Sequence, residues 1–137
     1  MSRLVILDNE AVQALRTPAN PKHNRVLSHV QVVASRKKKA LPISLAVPTA
    51  VRAEAGWDRT EPAWAFLNHL SIADIALDGP HANTAAAILN RAKVSVADAH
   101  IGAAIDSAPN TNITVIISDP HDIRQVAGDH AIAIVTI

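Results

Sequence analysis

The sequence contains no cysteine and no tyrosine, and its aromatic side chains amount to one phenylalanine and two tryptophans in 137 residues. Without cysteine there is no disulfide framework, no thiolate zinc site and no cysteine nucleophile. So few aromatics argue against a base-stacking RNA surface, which needs exposed Phe, Tyr or Trp. Charge is scarce too: 18% of residues are charged, against the usual ~25%. A net charge of +1 says little about partners. No apolar run approaches the ~18 residues of a membrane span. The opening run Leu4-Val5-Ile6-Leu7 is too short for the h-region of a signal peptide. The expectation is a cytoplasmic protein with no membrane partner.

What is present is apolar and aliphatic. Hydrophobic residues make up 49% of the chain, chiefly Ala, Val and Ile, which suits helices packed on a buried parallel sheet. A chain of 137 residues fits one domain, residues 1–137, and can bury roughly 70% of its unfolded surface.

Leu4 to Leu7 reads as a buried strand ending at an acid, Asp8. Asn9 to Arg16 reads as a helix stopped before Pro18. A second helix is expected from Lys22 to about Lys39, with Val26, Val30 and Val33 on one face. Leu41 to Val47 reads as a strand, and Pro48 suits the first position of a helix running to about Trp57. Glu61-Pro62 opens another helix ending near Leu70, and Ile72 to Leu77 is a strand broken by Gly79-Pro80. Two helices follow, about His81 to Ala92 and from the capping box at Ser95 to about Ser107. Ile113 to Ile117 is a strand followed by a second strand-end acid, Asp119. Pro120 to Ala127 is a helix closed by Gly128, and Ala131 to Ile137 is a last strand. Strands separated by helical crossovers imply an α/β fold, with a parallel sheet covered on both faces.

Ligands of such sheets bind beyond the carboxyl ends of the strands, where Asp8 and Asp119 stand. Each is also a suitable helix N-cap, and capping uses only one carboxylate oxygen. Asp98 doubles as the third residue of the capping box, but it shares a stripe with Ile101, Gly102 and Ile105. Glu54 follows Ala50 and Val51 on one side of its helix. Acids on packed faces need a partner or a metal; Arg52 and Arg59 are near Glu54 in sequence, but Arg52 points elsewhere on the helical wheel. Convergence of three or four such charges requires a cation. Magnesium or manganese suits an oxygen-only set and would support phosphodiester hydrolysis.

At these residues the chain resembles PIN-domain ribonucleases, specifically the VapC-type toxins of bacterial type II toxin–antitoxin systems. Val5-Ile6-Leu7-Asp8 looks like the family's first strand and first acid. Val47-Pro48-Thr49-Ala50-Val51-Arg52-Ala53-Glu54 is similar to its second motif. Val96-Ala97-Asp98-Ala99-His100-Ile101-Gly102-Ala103 is similar to its third, and Ile117-Ser118-Asp119-Pro120-His121-Asp122-Ile123 to its fourth. The resemblance covers nearly the whole chain. It implies a three-layer α/β/α domain with five parallel strands ordered 3-2-1-4-5. It also implies RNA cleavage dependent on Mg²⁺ or Mn²⁺ at Asp8, Glu54, Asp98 and Asp119, with Asp122 an optional fifth acid. An antitoxin that inserts a peptide into the groove, and a homodimer, follow from the same resemblance. Family members often carry Thr where this chain has Ile117, and a small hydroxyl residue where it has Asn9. Ser118 offers a neighbouring hydroxyl, and Asn9 and Ser118 are candidates for contact with substrate or with the acids. These departures bear on rate and metal affinity more than on fold.

Other residues keep two readings. Arg36-Lys37-Lys38-Lys39 could steer RNA phosphates or simply end a solvated helix. Asp122 is also a first-turn acid favoured by the helix dipole. Seven scattered His without ligand spacing argue against zinc, and His100 reads as packing or as support for the acids. Trp57 and Trp64 read as core or dimer contacts. A haloacid-dehalogenase-type phosphatase needs Asp where Glu10 stands, and a receiver domain needs a Lys ending a late strand, which 132–137 lack. The remaining alternative is a PIN-like module that binds RNA or protein with weak or no nuclease activity.

Overall fold

Three residues in succession, Val5, Ile6 and Leu7, are buried at the end of strand β1, Arg3–Leu7. Successive strand side chains point to opposite faces, so the sheet is covered on both sides. The same holds for Leu45, Ala46 and Val47 in β2, Ile43–Pro48, and for Val115, Ile116 and Ile117 in β4, Asn112–Ile117. The computed structural model describes residues 2–39 and 42–137; the expected start of the second strand at Leu41 lies outside them.

The five strands form one parallel sheet in the order β3-β2-β1-β4-β5, with β3 spanning Ala73–Ile75 and β5 Ala133–Thr136. Among the described residues, seven α-helices connect them: α1 Asn9–Arg16, α2 His23–Lys38, α3 Thr49–Ala55, α4 Ala65–Asn68, α5 Gly79–Arg91, α6 Val96–Asp106 and α7 Pro120–Ala127. This is the α/β/α architecture and strand order expected. Val26, Val30 and Val33 are the buried stripe of α2. No helix among the described residues is long and apolar enough to cross a membrane.

Several boundaries differ from the sequence pattern, each for a local reason. Pro48 does not open α3. It closes β2 opposite Ile75, with an extended ψ of 138°, and helix begins one residue later. The same helix stops at Gly56, whose φ of 75° is left-handed, before reaching Trp57. Gly79-Pro80 is not what ends the strand, which stops at Ile75, but forms the first turn of α5, because Asp78 accepts a hydrogen bond from the His81 N–H at 3.0 Å. The helix expected from Glu61 to Leu70 divides into a 3-10 turn, Pro62–Trp64, and the short α4. Anchoring explains this: Trp64 stacks on Trp57 at 5.8 Å, and Asn68 accepts from Trp57 Nε1 at 2.9 Å. Both tryptophans are core residues. The edge strand β3 is shorter than Ile72 to Leu77 because the Leu77 N–H turns to the Thr49 hydroxyl at 3.1 Å. β5, the other edge, is likewise shorter than Ala131 to Ile137, although the Ile137 N–H still reaches the Ile117 carbonyl at 3.0 Å.

Helices α5, α6 and α7 pack closely at Gly102. A Cβ there would meet Ile88 Cδ1 at 2.6 Å and both Cβ and the carbonyl oxygen of Val126 at 2.8 Å. Only glycine permits that approach, which seats the helix carrying Asp98.

Candidate functional site

A pocket of about 750 Å³ opens where β1 and β4 end and α1, α3, α6 and α7 begin or pass. Six carboxylates line it: Asp8, Glu10, Glu54, Asp98, Asp119 and Asp122. All four acids singled out from the sequence are therefore in one place, together with Asp122, Asn9 and Ser118. Parallel strands explain this convergence. Adjacent β1 and β4 point the same way, so residues following both strands emerge at one end of the sheet.

Asp8 is the most constrained. It caps α1 through Oδ1, which accepts from the Ala11 N–H at 2.8 Å. Its Oδ2 accepts from the Ser118 N–H at 3.2 Å, and its own N–H donates to the Ile116 carbonyl at 3.2 Å. Capping and site placement thus coexist. Burial pushes the Asp8 carboxyl up to about 6, against the pull of those two backbone hydrogen bonds. The charges of Glu10 and Asp98 push in the same direction.

Asp98 is half-buried in the first turn of α6, and its N–H donates to the Ser95 hydroxyl at 3.0 Å, so the expected cap forms. Burial raises its carboxyl above the ordinary range, and the neighbouring charge of Asp122 raises it more than that of Glu54. Hydrogen bonding with Ser95 opposes this. Asp119 is exposed and caps α7, accepting from the His121 N–H at 3.0 Å, while Asp122 lies half-buried one turn on.

Glu54 departs from expectation. Val51 and Ala55 take the packed side of α3, and Glu54 is exposed at the pocket wall. Its partner is not an arginine: the Asn9 side-chain amide donates to it at 3.3 Å. Arg52 and Arg59 both bind Asp74 instead, at 2.8 and 2.9 Å. Among the described residues, Asp8, Glu54, Asp98, Asp119 and Asp122 form no ion pair with lysine or arginine. Glu10 alone approaches one, Lys22 at 3.9 Å.

The carboxylates share a pocket without caging a point: among the described residues no three His, Asp or Glu side chains are gathered closely enough to hold an ion as they stand. One buried polar atom beside them, Asn9 Oδ1, has no hydrogen-bond partner. An oxygen-only donor set of this kind suits hard divalent cations.

His100 is fully buried and does not line the pocket. Its Nδ1 accepts from the Ala50 N–H at 3.3 Å, tying α6 to the start of α3, and burial holds its pKa below the ordinary histidine range. His121 sits outside the pocket lining as well, hydrogen-bonded to Gln125. The basic run Arg36 to Lys39 lies at the end of α2, a few residues before the start of β2. That is the amino end of the strands, opposite the acids, so it is not a rim of this pocket. Residues that sequence reading missed include Glu10, Leu89 and Lys93. Lys93 stands two residues before the cap Ser95, and that proximity was its only signal.

No family model and no curated protein matches the sequence. Among solved structures, a chain in the crystal structure of VapBC2 from Rickettsia felis, bound to a DNA fragment from their promoter, matches with a TM-score of 0.62. The match covers 96% of this chain and 98% of that one at 9% sequence identity. The chain has a PIN-like fold. At that identity the likeness is one of fold alone.

Proposed function

We propose that this PIN-like chain is a ribonuclease that hydrolyses RNA phosphodiester bonds with Mg²⁺ or Mn²⁺ at the acidic pocket. The observation that carries this reading is the gathering of Asp8, Glu54, Asp98 and Asp119, from four separate segments, around one cavity without a compensating arginine. Burial first, and the neighbouring carboxylates to a smaller extent, raise Asp8 and Asp98, and a bound cation would offset both costs. Magnesium binds through one or two carboxylates directly and keeps several waters, so a pocket without a closed cage remains suitable.

Asp8 and Asp98 would hold the ion, with Asp119, Glu54 and Asp122 reaching it directly or through water. A bound divalent cation supplies Lewis acidity at the phosphate and draws down the pKa of the attacking water. The chain's own residues do the positioning. Asp8 is fixed by Ala11 and Ser118, and Asn9 orients Glu54. The Ser118 hydroxyl is left to contact water or substrate.

The likeness to a VapBC2 chain, with the motif resemblance, extends the reading to the toxin of a toxin–antitoxin pair, with an antitoxin covering the pocket and a homodimeric assembly. A reading frame adjacent to this one that encodes a small DNA-binding protein would support the antitoxin. Sedimentation reports the dimer. The test of the activity is cleavage of structured RNAs with Mg²⁺ or Mn²⁺, compared with EDTA and with Asp98→Asn. If wild type and Asp98→Asn are equally inactive, the enzyme reading is lost and the binding-module reading replaces it.

A further inference from the structure

One side chain lining the pocket has the opposite charge. Lys93 lies in the turn between α5 and α6, residues 92–95, all four of which line the cavity. It is the one lysine or arginine among the lining residues. It shares that lining with six carboxylates, yet among the described residues it forms no ion pair with any of them. Its neighbours are committed elsewhere. Arg91 donates to the Gln125 carbonyl at 2.8 Å, pinning the end of α5 to α7, and the Ser95 hydroxyl oxygen caps α6. Lys93 is exposed and free to meet a ligand.

We infer that Lys93 holds a backbone phosphate of the RNA next to the one attacked, and so fixes how the strand crosses the pocket. This rests on the ribonuclease reading. The chemistry follows from the two walls. The acids, with their cation, take the reacting phosphate. A strand continuing past them needs a donor for its next phosphate, or it meets only the apolar wall of Leu89, Ala92 and Val94. An ammonium on a flexible stem is a point-charge phosphate binder without sequence preference. The basic run at Arg36 to Lys39 cannot serve, because it lies at the far end of the sheet.

The test is binding of a fluorescein-labelled oligouridylate by anisotropy, over a range of salt, in Ca²⁺. Calcium fills oxygen sites but does not meet the strict octahedral geometry of magnesium. A homopolymer suffices because a phosphate contact is sequence-independent. Lys93→Met is expected to weaken binding several-fold and to reduce the slope of log K against log salt by about 0.7, the value for one phosphate contact on a single strand. Lys93→Arg restores both, and Lys38→Met changes neither. If Lys93→Met binds as wild type does, if Lys38→Met weakens binding equally, or if Lys93→Arg fails to rescue, the assignment is overturned while cleavage by wild type in Mg²⁺ or Mn²⁺ leaves the enzyme reading standing. If wild type neither binds nor cleaves, both fall together.

Discussion

Asp8 and Ser118, 110 residues apart in sequence, are joined by a hydrogen bond from the Ser118 N–H to Asp8 Oδ2 at 3.2 Å. This bond ties the residue after β1 to the residue after β4 and fixes the orientation of the buried acid at the pocket floor. It also makes Asp8 difficult to replace. Asparagine keeps the cap to Ala11 but turns an amide donor toward the Ser118 N–H. Asp8→Asn is therefore expected to lose roughly 1–3 kcal/mol from one unsatisfied buried donor, offset at neutral pH by relief of the buried charge, so that the thermal midpoint falls most clearly at pH 5 and below, and to abolish cleavage. A thermal midpoint unchanged at pH 5, where the wild-type carboxyl is largely protonated, would show that the Ser118 contact contributes nothing.

The raised Asp8 carboxyl predicts a pH-dependent effect of metal. Its pKa is about 6 in the folded chain and 3.8 as a model acid, so the folded state holds the proton more tightly. The resulting stabilisation is complete below about pH 4 and is lost as pH rises through 6, a difference of about 2–3 kcal/mol at ~1.4 kcal/mol per pKa unit. Asp98 is shifted in the same direction, whereas buried His100 is shifted down and opposes folding as pH falls below the ordinary histidine range. A total stability profile mixes these groups. The increment in thermal midpoint on adding Mn²⁺ isolates the acids, and it is expected to be small at pH 5 and larger at pH 7.5. An increment equal at both values would remove Asp8 from the proposed metal site.

Single neutral replacements should rank the acids. Asp98→Asn removes the carboxylate that shares the field of Asp8, Asp122 and Glu54, and should lower kcat by about a hundredfold or more, since metal-assisted charge stabilisation supplies several kcal/mol. Glu54→Gln, on an exposed side chain held by Asn9, should lower it less. Equal kcat for wild type and Asp98→Asn, in a preparation that cleaves RNA, would exclude Asp98 from the chemistry.

Gly102 offers a test of the scaffold apart from the acids. Gly102→Ala forces a methyl group against the Val126 carbonyl and Cβ, each at 2.8 Å, neither of which can swing aside. Overpacking of this kind costs about 1–3 kcal/mol, which lowers the thermal midpoint by roughly 3–15 °C in a chain of this size. A melt within 1 °C of wild type would show that α5 and α7 can separate freely.

How much of this was legible in the chain depends on whether the cause is local. Aliphatic runs that end at acids marked β1 and β4, because burial on both faces of a parallel sheet leaves an unbroken apolar pattern. Caps at Asp8, Ser95 and Asp119 were readable because their hydrogen bonds span two or three residues. The role of Pro48 as a strand end, and of Gly79-Pro80 as a helix start, was not. Their conformations are set by pairing with Ile75 and by the Asp78 cap, not by proline alone.

For the site, sequence by itself determined which acids stand at strand ends and helix starts, and the motifs that named a fold. Only tertiary structure decided that those acids share one cavity, that Arg52 and Arg59 are bound to Asp74 rather than Glu54, and that Lys93 lines the cavity while the basic run does not. The reason is physical: periodicity and capping act over a few residues, but convergence requires the sheet order that sets β1 beside β4 and carries Asp8 to Ser118.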